Sequence, residues 1–278
     1  MTVADDPLLG LGYSTTSASR PLVWIGDGQG VPRSAVVAEE VPIALVYNGR
    51  SHVVVMGTPA DLEDLAVGFS ITEGVLHDAG EVERMEIVRA SHGIELQVQI
   101  PAANAQRIEA RARGLVSRTG CGLCGIETIN DALRMPIEVT HELTVSPETL
   151  WAVNAELSGR QALNNETNAV HAAGWATPDG VLHVVREDVG RHNALDKVLG
   201  AISREGKNHR DGFVVITSRA SYEMVQKAAT CGVELIAAIS RPTGLAIRFA
   251  EAAGVTLAGL VRGRSANVYC GAARIRTS

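Results

Sequence analysis

The sequence predicts an α/β protein: a mostly parallel, helix-covered sheet after residue 136, preceded by a smaller α+β part. Two observations carry this. Short apolar runs at residues 181–185, 213–217, 233–239 and 256–261 alternate with helical periodicity, the pattern of strands joined by crossover helices. Before them, strand-like runs flank tight-turn residues. The length of 278 residues, 46% hydrophobic and 20% charged, is ordinary globular composition and allows one large domain or two modest ones.

Residues 1–20, with Ser14, Thr15, Thr16, Ser17 and Ser19, read as a polar tail. Gly26-Asp27-Gly28-Gln29-Gly30 lacks dinucleotide-loop spacing and reads as a turn. Strands at 43–47 and 52–56 flank Asn48-Gly49, a type I′ hairpin signal. Thr58-Pro59-Ala60-Asp61 predicts a helix start, with Thr58 as cap and Leu62, Leu65, Ala66 and Phe69 as its apolar face. A second hairpin is expected around Ser91-His92-Gly93, with Ile94, Leu96, Val98 and Ile100 alternating after it. The boundary between an N-terminal domain (21–135) and a C-terminal domain (136–278) falls near Met135-Pro136. Ser146-Pro147 opens a helix that buries Leu150, Val153 and Leu157, and a later helix buries Ala194, Leu195, Val198, Leu199 and Ile202.

Chemistry concentrates in three places. Arg118-Thr119-Gly120-Cys121-Gly122-Leu123-Cys124-Gly125 sets two cysteines among glycines that leave the backbone approachable. The nearby Arg118 favours the thiolate, the form that attacks or carries sulfur. Next, three predicted strands end in Ser218-Arg219-Ala220-Ser221, Ser240-Arg241-Pro242-Thr243 and Arg262-Gly263-Arg264-Ser265. Ligands of open α/β sheets bind at the carboxyl ends of strands, and arginines there suit phosphates. Each hydroxyl residue alone reads as well as a helix cap; three together favour a cradle for a polyphosphate ligand. Third, the polar segment from Arg186 to Lys197 places His192 and Asn193 in the first turn of a helix facing the same crevice, while Asp196 and Lys197 suit an exposed helix face.

The net charge of −6 argues against a nucleic-acid binder. Residues 241–278 nevertheless hold six arginines against one acid, Glu251, a local net of +5. The acidic start differs from a basic secretory leader, and the apolar run at 252–261 is shorter than the roughly 20 residues of a membrane helix. Four scattered cysteines make no disulfide scaffold, so a reducing cytoplasm and no membrane are expected.

The Cys121–Cys124 loop, Arg186 to Lys197, Ser218 to Ser221 and the closing Asn267-Val268-Tyr269 together resemble the formate dehydrogenase accessory sulfurtransferases, the FdhD family. Asn48-Gly49, Met56-Gly57-Thr58-Pro59 and Gly68-Phe69 extend the resemblance over nearly everything after residue 35; Ser240-Arg241-Pro242, Ala266 and Cys270 depart from the usual pattern. The resemblance implies a C-terminal half of cytidine-deaminase-like three-layer α/β/α fold. It implies a sulfurtransferase that accepts sulfur from a cysteine desulfurase as a persulfide on Cys121, with Cys124 secondary. The recipient is the molybdenum cofactor, Mo-bis(molybdopterin guanine dinucleotide), before it enters the formate dehydrogenase apoprotein. Leu260, Val261, Arg262, Gly263, Arg264 and Ser265 then contact that cofactor, beside Ser218, Arg219, Ser221, His192 and Asn193, and GDP is the natural surrogate ligand.

Rival readings are a cofactor-binding chaperone that moves no sulfur and a thiol–disulfide exchanger cycling Cys121 with Cys124. No resident metal is expected. Structural zinc lacks a second close ligand pair, and His171-Ala172-Ala173 lacks the glutamate of a zinc deaminase, whose paired cysteines would lie downstream. Monomer and homodimer both stay open.

Overall fold

The computed structural model describes residues 15–90, 92–112, 137–139 and 143–276. The described chain opens on an antiparallel ribbon, β1 (Ser17–Gly26) and β2 (Gln29–Ala38), in unbroken register from Ser17↔Ala38 to Gly26↔Gln29. Asp27 and Gly28 have φ of 51° and 76°, so the expected turn is the tip of this hairpin. The ribbon thus takes in Ser17 to Arg20 of the stretch expected as a tail over 1–20. The Val, Trp and Ile residues that follow draw its serines into a strand.

Four strands form the next sheet: β3 (Val41–Tyr47), β4 (Arg50–Gly57), β5 (Arg84–Ala90) and β6 (Gly93–Gln99), in the order β4-β3-β6-β5. Both expected hairpins are present as antiparallel pairs, and Asn48 and Gly49 both take positive φ, 48° and 78°. The β3–β6 pair is parallel. One face of this sheet buries Ile43, Leu45, Ile94, Leu96 and Val98 against Leu62, Leu65 and Phe69 of α1 (Leu62–Thr72). The short helix α2 (Ala102–Ala112) follows β6.

The α1 start differs from expectation. Its N-cap is Asp61, in the left-handed region at φ 50°, with no side-chain cap bond. Thr58 is instead buried and spoken for. Its N–H donates to Asp188 Oδ2 (3.0 Å), its Oγ1 accepts from Val189 N–H (3.1 Å) and its carbonyl accepts from Lys197 Nζ (3.1 Å). Long-range bonds to a buried carboxylate and ammonium outweigh one local cap bond.

The C-terminal sheet has six strands, β7 (His171–Ala176), β8 (Leu182–Asp188), β9 (Phe213–Ile216), β10 (Leu235–Ala238), β11 (Thr256–Arg262) and β12 (Ser265–Cys270), in the order β12-β11-β10-β9-β7-β8. β9, β10 and β11 are parallel neighbours, whereas β7 and β12 pair antiparallel with theirs. The sheet is therefore mixed rather than mostly parallel in its pairing. Because β8 is antiparallel to β7, and β7 to β9, the strands β8, β9, β10 and β11 still point one way.

Helices cover both faces. Val214, Ile216, Ile236 and Leu257 share a core with α5 (Arg191–Arg204), α6 (Tyr222–Thr230) and α7 (Gly244–Ala253). The alternate residues Phe213, Val215, Leu235 and Ala237 share another with Leu150, Val153 and Leu157 of α3 (Pro147–Gly159). Ser146 caps α3 from its hydroxyl, as expected. The short α4 (Ala162–Thr167) leads into β7. The result is a three-layer α/β/α half, and α1 packs back to back on α5. A Cβ on Gly68 would overlap the Asp196 carbonyl, and one on Gly200 would overlap that of Asp64, so glycine lets these two helices touch along their backbones. This sandwiching leaves α5 no free face beneath α1. Asp196 and Lys197, expected on a solvated helix face, are instead buried, Lys197 at 0% exposure. Asp196 pairs with Lys227 (2.9 Å) and Lys197 with Asp188 (2.6 Å). Asp64 of α1 holds both Arg186 (2.7 Å) and Arg204. The expected boundary at Met135-Pro136 lies outside the described residues.

Candidate functional site

The shared direction of β8, β9, β10 and β11 brings their carboxyl ends to one edge. There β8 runs into Val189-Gly190 and α5, β9 into residues 217–221 and α6, and β10 into residues 239–243 and α7. β11 turns through Gly263-Arg264 into β12. Since β9, β10 and β11 are adjacent, the three Ser- and Arg-bearing ends lie side by side. Backbone bonds knit them: Thr243 N–H donates to Ala220 O (3.1 Å) and Leu260 N–H to Ser240 O (3.1 Å). Arg262 Nε donates to Ile239 O (3.1 Å).

Leu260 takes a left-handed φ of 52° where the β11–β12 register shifts. A non-glycine residue there stores strain, which the surrounding bonds must hold. The shift frees Arg262, Gly263, Arg264 and Ser265 to stand exposed at the edge. Val261 is different. Its side chain is fully buried in the α3-side core and its carbonyl accepts from Asn154 Nδ2 (2.9 Å), so it supports the segment without offering a group to a ligand.

The cap-or-ligand question separates residue by residue. Thr243 is a true cap, its hydroxyl accepting from Ala246 N–H (3.3 Å). Ser221 stands at the N-cap of α6 without capping it, and its buried Oγ has no partner among the described residues. Ser218 is buried, its Oγ donating to Arg219 O (3.1 Å). Arg219 and Arg241 are exposed, and neither they nor Arg262 has a carboxylate partner among the described residues. Arg264 lies 5.6 Å from the Trp151 ring. On a chain of net charge −6, this edge gathers cations that nothing described neutralises.

The β8 end is braced from below. Asp188 accepts from Gly190 N–H (2.7 Å), Asn193 Nδ2 (3.0 Å), Thr58 N–H (3.0 Å) and Lys197 Nζ (2.6 Å). Asn193 also donates to Met56 O (2.8 Å) and is 7% exposed. It therefore ties β4 to the edge, its amide nitrogen engaged within the protein. His192 turns toward α6. Its Nε2 lies 2.6 Å from Glu223 Oε2 on α6, which joins the first turns of α5 and α6.

His171 starts β7 opposite Asp188 at this same edge. Burial, then the neighbouring Arg191 and His192, hold its imidazole below the ordinary histidine range, against the opposite pull of Asp188. His171 escapes a sequence reading as an edge residue because the strand His171-Ala172-Ala173-Gly174-Trp175-Ala176 has few β-formers. The only signal is its position one strand before the polar segment.

Cys121 and Cys124, with Arg118 and the loop glycines, lie outside the described residues. The two described cysteines are chemically quiet. Burial pushes the Cys231 thiol up to about 12. Cys270 is likewise raised by burial, its thiol donating to Val255 O (3.3 Å). Among the described residues no three His, Cys, Asp or Glu side chains gather to hold a metal ion, and no helix is long and apolar enough to cross a membrane.

Known proteins share this framework. The sequence model of the FdhD/NarQ family matches residues 38–276. A sulfur carrier protein FdhD from Cupriavidus necator is 48% identical over 240 residues, 86% of this chain and 83% of that protein. Its counterpart from Agrobacterium fabrum is 46% identical over 250 residues, 89% of this chain and 92% of that one. A crystal structure from Desulfotalea psychrophila, described as a formate dehydrogenase accessory protein, superposes with a TM-score of 0.74 at 27% identity, covering 94% of this chain and 100% of that one. The motifs that build the sheet edge fall inside the matched span, and on that span the chain belongs to the FdhD/NarQ family.

Proposed function

We propose that this protein is a sulfur carrier in formate dehydrogenase maturation, a sulfurtransferase that loads sulfur on Cys121 and delivers it to a molybdenum cofactor bound at the sheet edge. The observation that carries the reading is the edge itself: Arg219, Arg241 and Arg262 on adjacent strand ends, without carboxylate partners among the described residues. Guanidinium forks suit the diphosphates of Mo-bis(molybdopterin guanine dinucleotide), and GDP is the fragment that isolates that contact. The names of the relatives support the carrier role. The chemistry of the other thiols supports Cys121 and Cys124, since Cys231 and Cys270 are held in the neutral form that neither attacks nor carries sulfur. The α/β/α layering of the C-terminal half supports kinship with the cytidine deaminase fold.

In the loading step the Cys121 thiolate attacks the terminal sulfur of the persulfide on a cysteine desulfurase. One S–S bond forms on Cys121, the donor's S–S bond breaks, and the donor leaves as its thiol, with no net oxidation. The bound cofactor is the acceptor substrate. The protein's own residues hold its phosphates, fix the edge through Asp188 and Lys197, and present the loaded sulfur. The recipient of the finished cofactor is the formate dehydrogenase apoprotein, and the site of action is the cytoplasm.

The test is mass spectrometry after incubation with a cysteine desulfurase and cysteine, followed by complementation in cells. One added sulfur on Cys121, and loss of formate dehydrogenase activity with Cys121→Ala, are the expected results. A Cys121→Ala protein that restores full activity would leave a cofactor chaperone. Loss of two hydrogens across Cys121 and Cys124, with no sulfur gained, would leave a disulfide exchanger.

A further inference from the structure

Arg191 Nε, His192 Nε2 and Ser221 Oγ are buried and have no hydrogen-bond partner among the described residues. All three sit where helices begin, Arg191 and His192 in the first turn of α5 and Ser221 at the N-cap of α6. The order of the strands explains the meeting. α5 follows β8 and α6 follows β9, while β7 lies between those two strands and runs the other way. The first residue of β7, His171, is therefore set between the two helix starts. Strand alternation puts it on the face of Ala173 and Trp175, the face that α5 and α6 cover. Asp188, opposite His171 on β8, is already consumed by Gly190, Asn193 and Lys197.

Buried polar atoms in folded proteins nearly always find partners, so three orphans at one point need a reason. What they share is the capacity to donate: a guanidinium nitrogen only donates, and a hydroxyl and an imidazole nitrogen can. The helix starts add the same sign. Gly190 has no side chain to cap α5, and Ser221 makes no cap bond on α6, so two positive helix ends meet here without side-chain caps. Glu223, in the first turn of α6, is the acid that meets this field. Its Oε2 lies 2.6 Å from His192 Nε2, yet the pair is not aligned for a hydrogen bond. Both side chains are mostly buried, 16% exposed for His192 and 18% for Glu223. The carboxylate thus answers the charge of the junction without bonding its donors. We propose that Arg191, His192 and Ser221 form a second anion subsite of the sheet edge, which Glu223 fills until a phosphate group displaces it. The inference rests on the edge being the ligand site, and adds a phosphate contact apart from Arg219, Arg241 and Arg262. A phosphate carries up to about −2 charge and three acceptor oxygens, one for each orphan, where a carboxylate has less charge and two oxygens.

The experiment is calorimetric titration of the full chain with sodium pyrophosphate, GDP and guanosine at one pH and salt concentration. The variants are Glu223→Gln, Ser221→Ala, and Glu223→Gln combined with Arg191→Gln, with Arg262→Ala as the control for the β9 to β11 ends. Glutamine keeps the shape of the side chain and removes the competing charge. Pyrophosphate and GDP should therefore bind Glu223→Gln at least ~10-fold tighter than wild type, and guanosine should bind both alike. The added Arg191→Gln should cancel the gain, and Ser221→Ala should weaken both anions. A gain that includes GDP assigns the subsite to a nucleotide phosphate, and a gain confined to pyrophosphate assigns it to a free anion. Circular dichroism reports folding. Unchanged anion affinities in Glu223→Gln, or a gain that survives Arg191→Gln, overturn the proposal; where Glu223→Gln unfolds, unchanged affinities in Ser221→Ala do so. Loss of GDP binding in Arg262→Ala beside any of these results leaves the arginine cradle standing, so the two failures stay distinct.

Discussion

At the scale of single residues, the sheet edge divides side chains left exposed from side chains whose polar atoms are consumed within the protein. Arg219 and Arg262 belong to the first kind; Asp188, Asn193 and Lys197 belong to the second, because their polar atoms are consumed within the protein. A charge-assisted hydrogen bond contributes about 1.5–3 kcal/mol. Arg219→Ala and Arg262→Ala should therefore each weaken GDP binding by roughly tenfold or more; the melting temperature should stay unmoved in Arg219→Ala, whose guanidinium has no partner among the described residues, and fall slightly in Arg262→Ala, which loses its bond to Ile239 O. Isothermal titration calorimetry checks this, and wild-type affinity in both variants would remove the phosphate cradle. On the proposed reading these substitutions touch the acceptor side, so sulfur loading on Cys121 is expected to survive them.

At the scale of elements, the α1–α5 contact joins the two sheets. Gly68 and Gly200 permit backbone approach, and the charges around them are satisfied across the contact rather than within one helix. Gly200→Ala forces a methyl group into the Asp64 carbonyl. Overpacking of this kind typically costs about 1–3 kcal/mol and more where backbone must move, so a loss of at least ~3 kcal/mol in urea unfolding is expected. The far end of α5 is held by His209, whose Nε2–H donates to Leu199 O (2.7 Å), while Trp175 Nε1 donates to His209 O (3.1 Å).

Burial holds the His209 imidazole below its ordinary pKa, against the opposite pull of the Leu199 bond. The unfolded chain takes up the proton near pH 6.5, and the folded one only at lower pH. The stability from this residue is thus complete above pH 6.5 and is lost as pH falls below it, at a limiting slope of about 1.4 kcal/mol per unit. In His209→Gln, which keeps an N–H donor, the urea midpoint should drop less between pH 7.5 and pH 5.5 than in wild type. Equal drops in the two proteins would show that His209 does not titrate on unfolding.

At the scale of the whole molecule, an acidic protein keeps a cationic edge. The net charge is −6, yet the arginines of the β9, β10 and β11 ends stand together. Exposed charges attract across a Debye length of about 8 Å at physiological salt and about 3 Å at 1 M. GDP affinity should therefore fall as sodium chloride is raised, and guanosine, which lacks the phosphates, should bind weakly with little salt dependence. Titrations of both ligands at several salt concentrations decide it; a salt-independent GDP affinity would place recognition on the base instead.

Much of this was legible in the residues. Local chemistry sets the Asn48-Gly49 and Asp27-Gly28 turns, the Ser146 cap and the apolar strands β8 to β11, because turn geometry and periodicity depend on near neighbours in the chain. The recurrence of Ser and Arg after successive strands marked the edge for the same reason. What tertiary structure alone decided is whatever depends on partners distant in sequence. Thr58 left its cap for Asp188, 130 residues away. Lys197 and Asp196 became buried ion pairs because α1 covers α5. β7, short of β-formers, became a strand because its two neighbours needed one between them, and that placed His171 at the edge beside His192. Sequence periodicity reports which face of an element is buried, but the element that covers it, and hence which polar groups find partners or stay free for a ligand, is set only when the layers close.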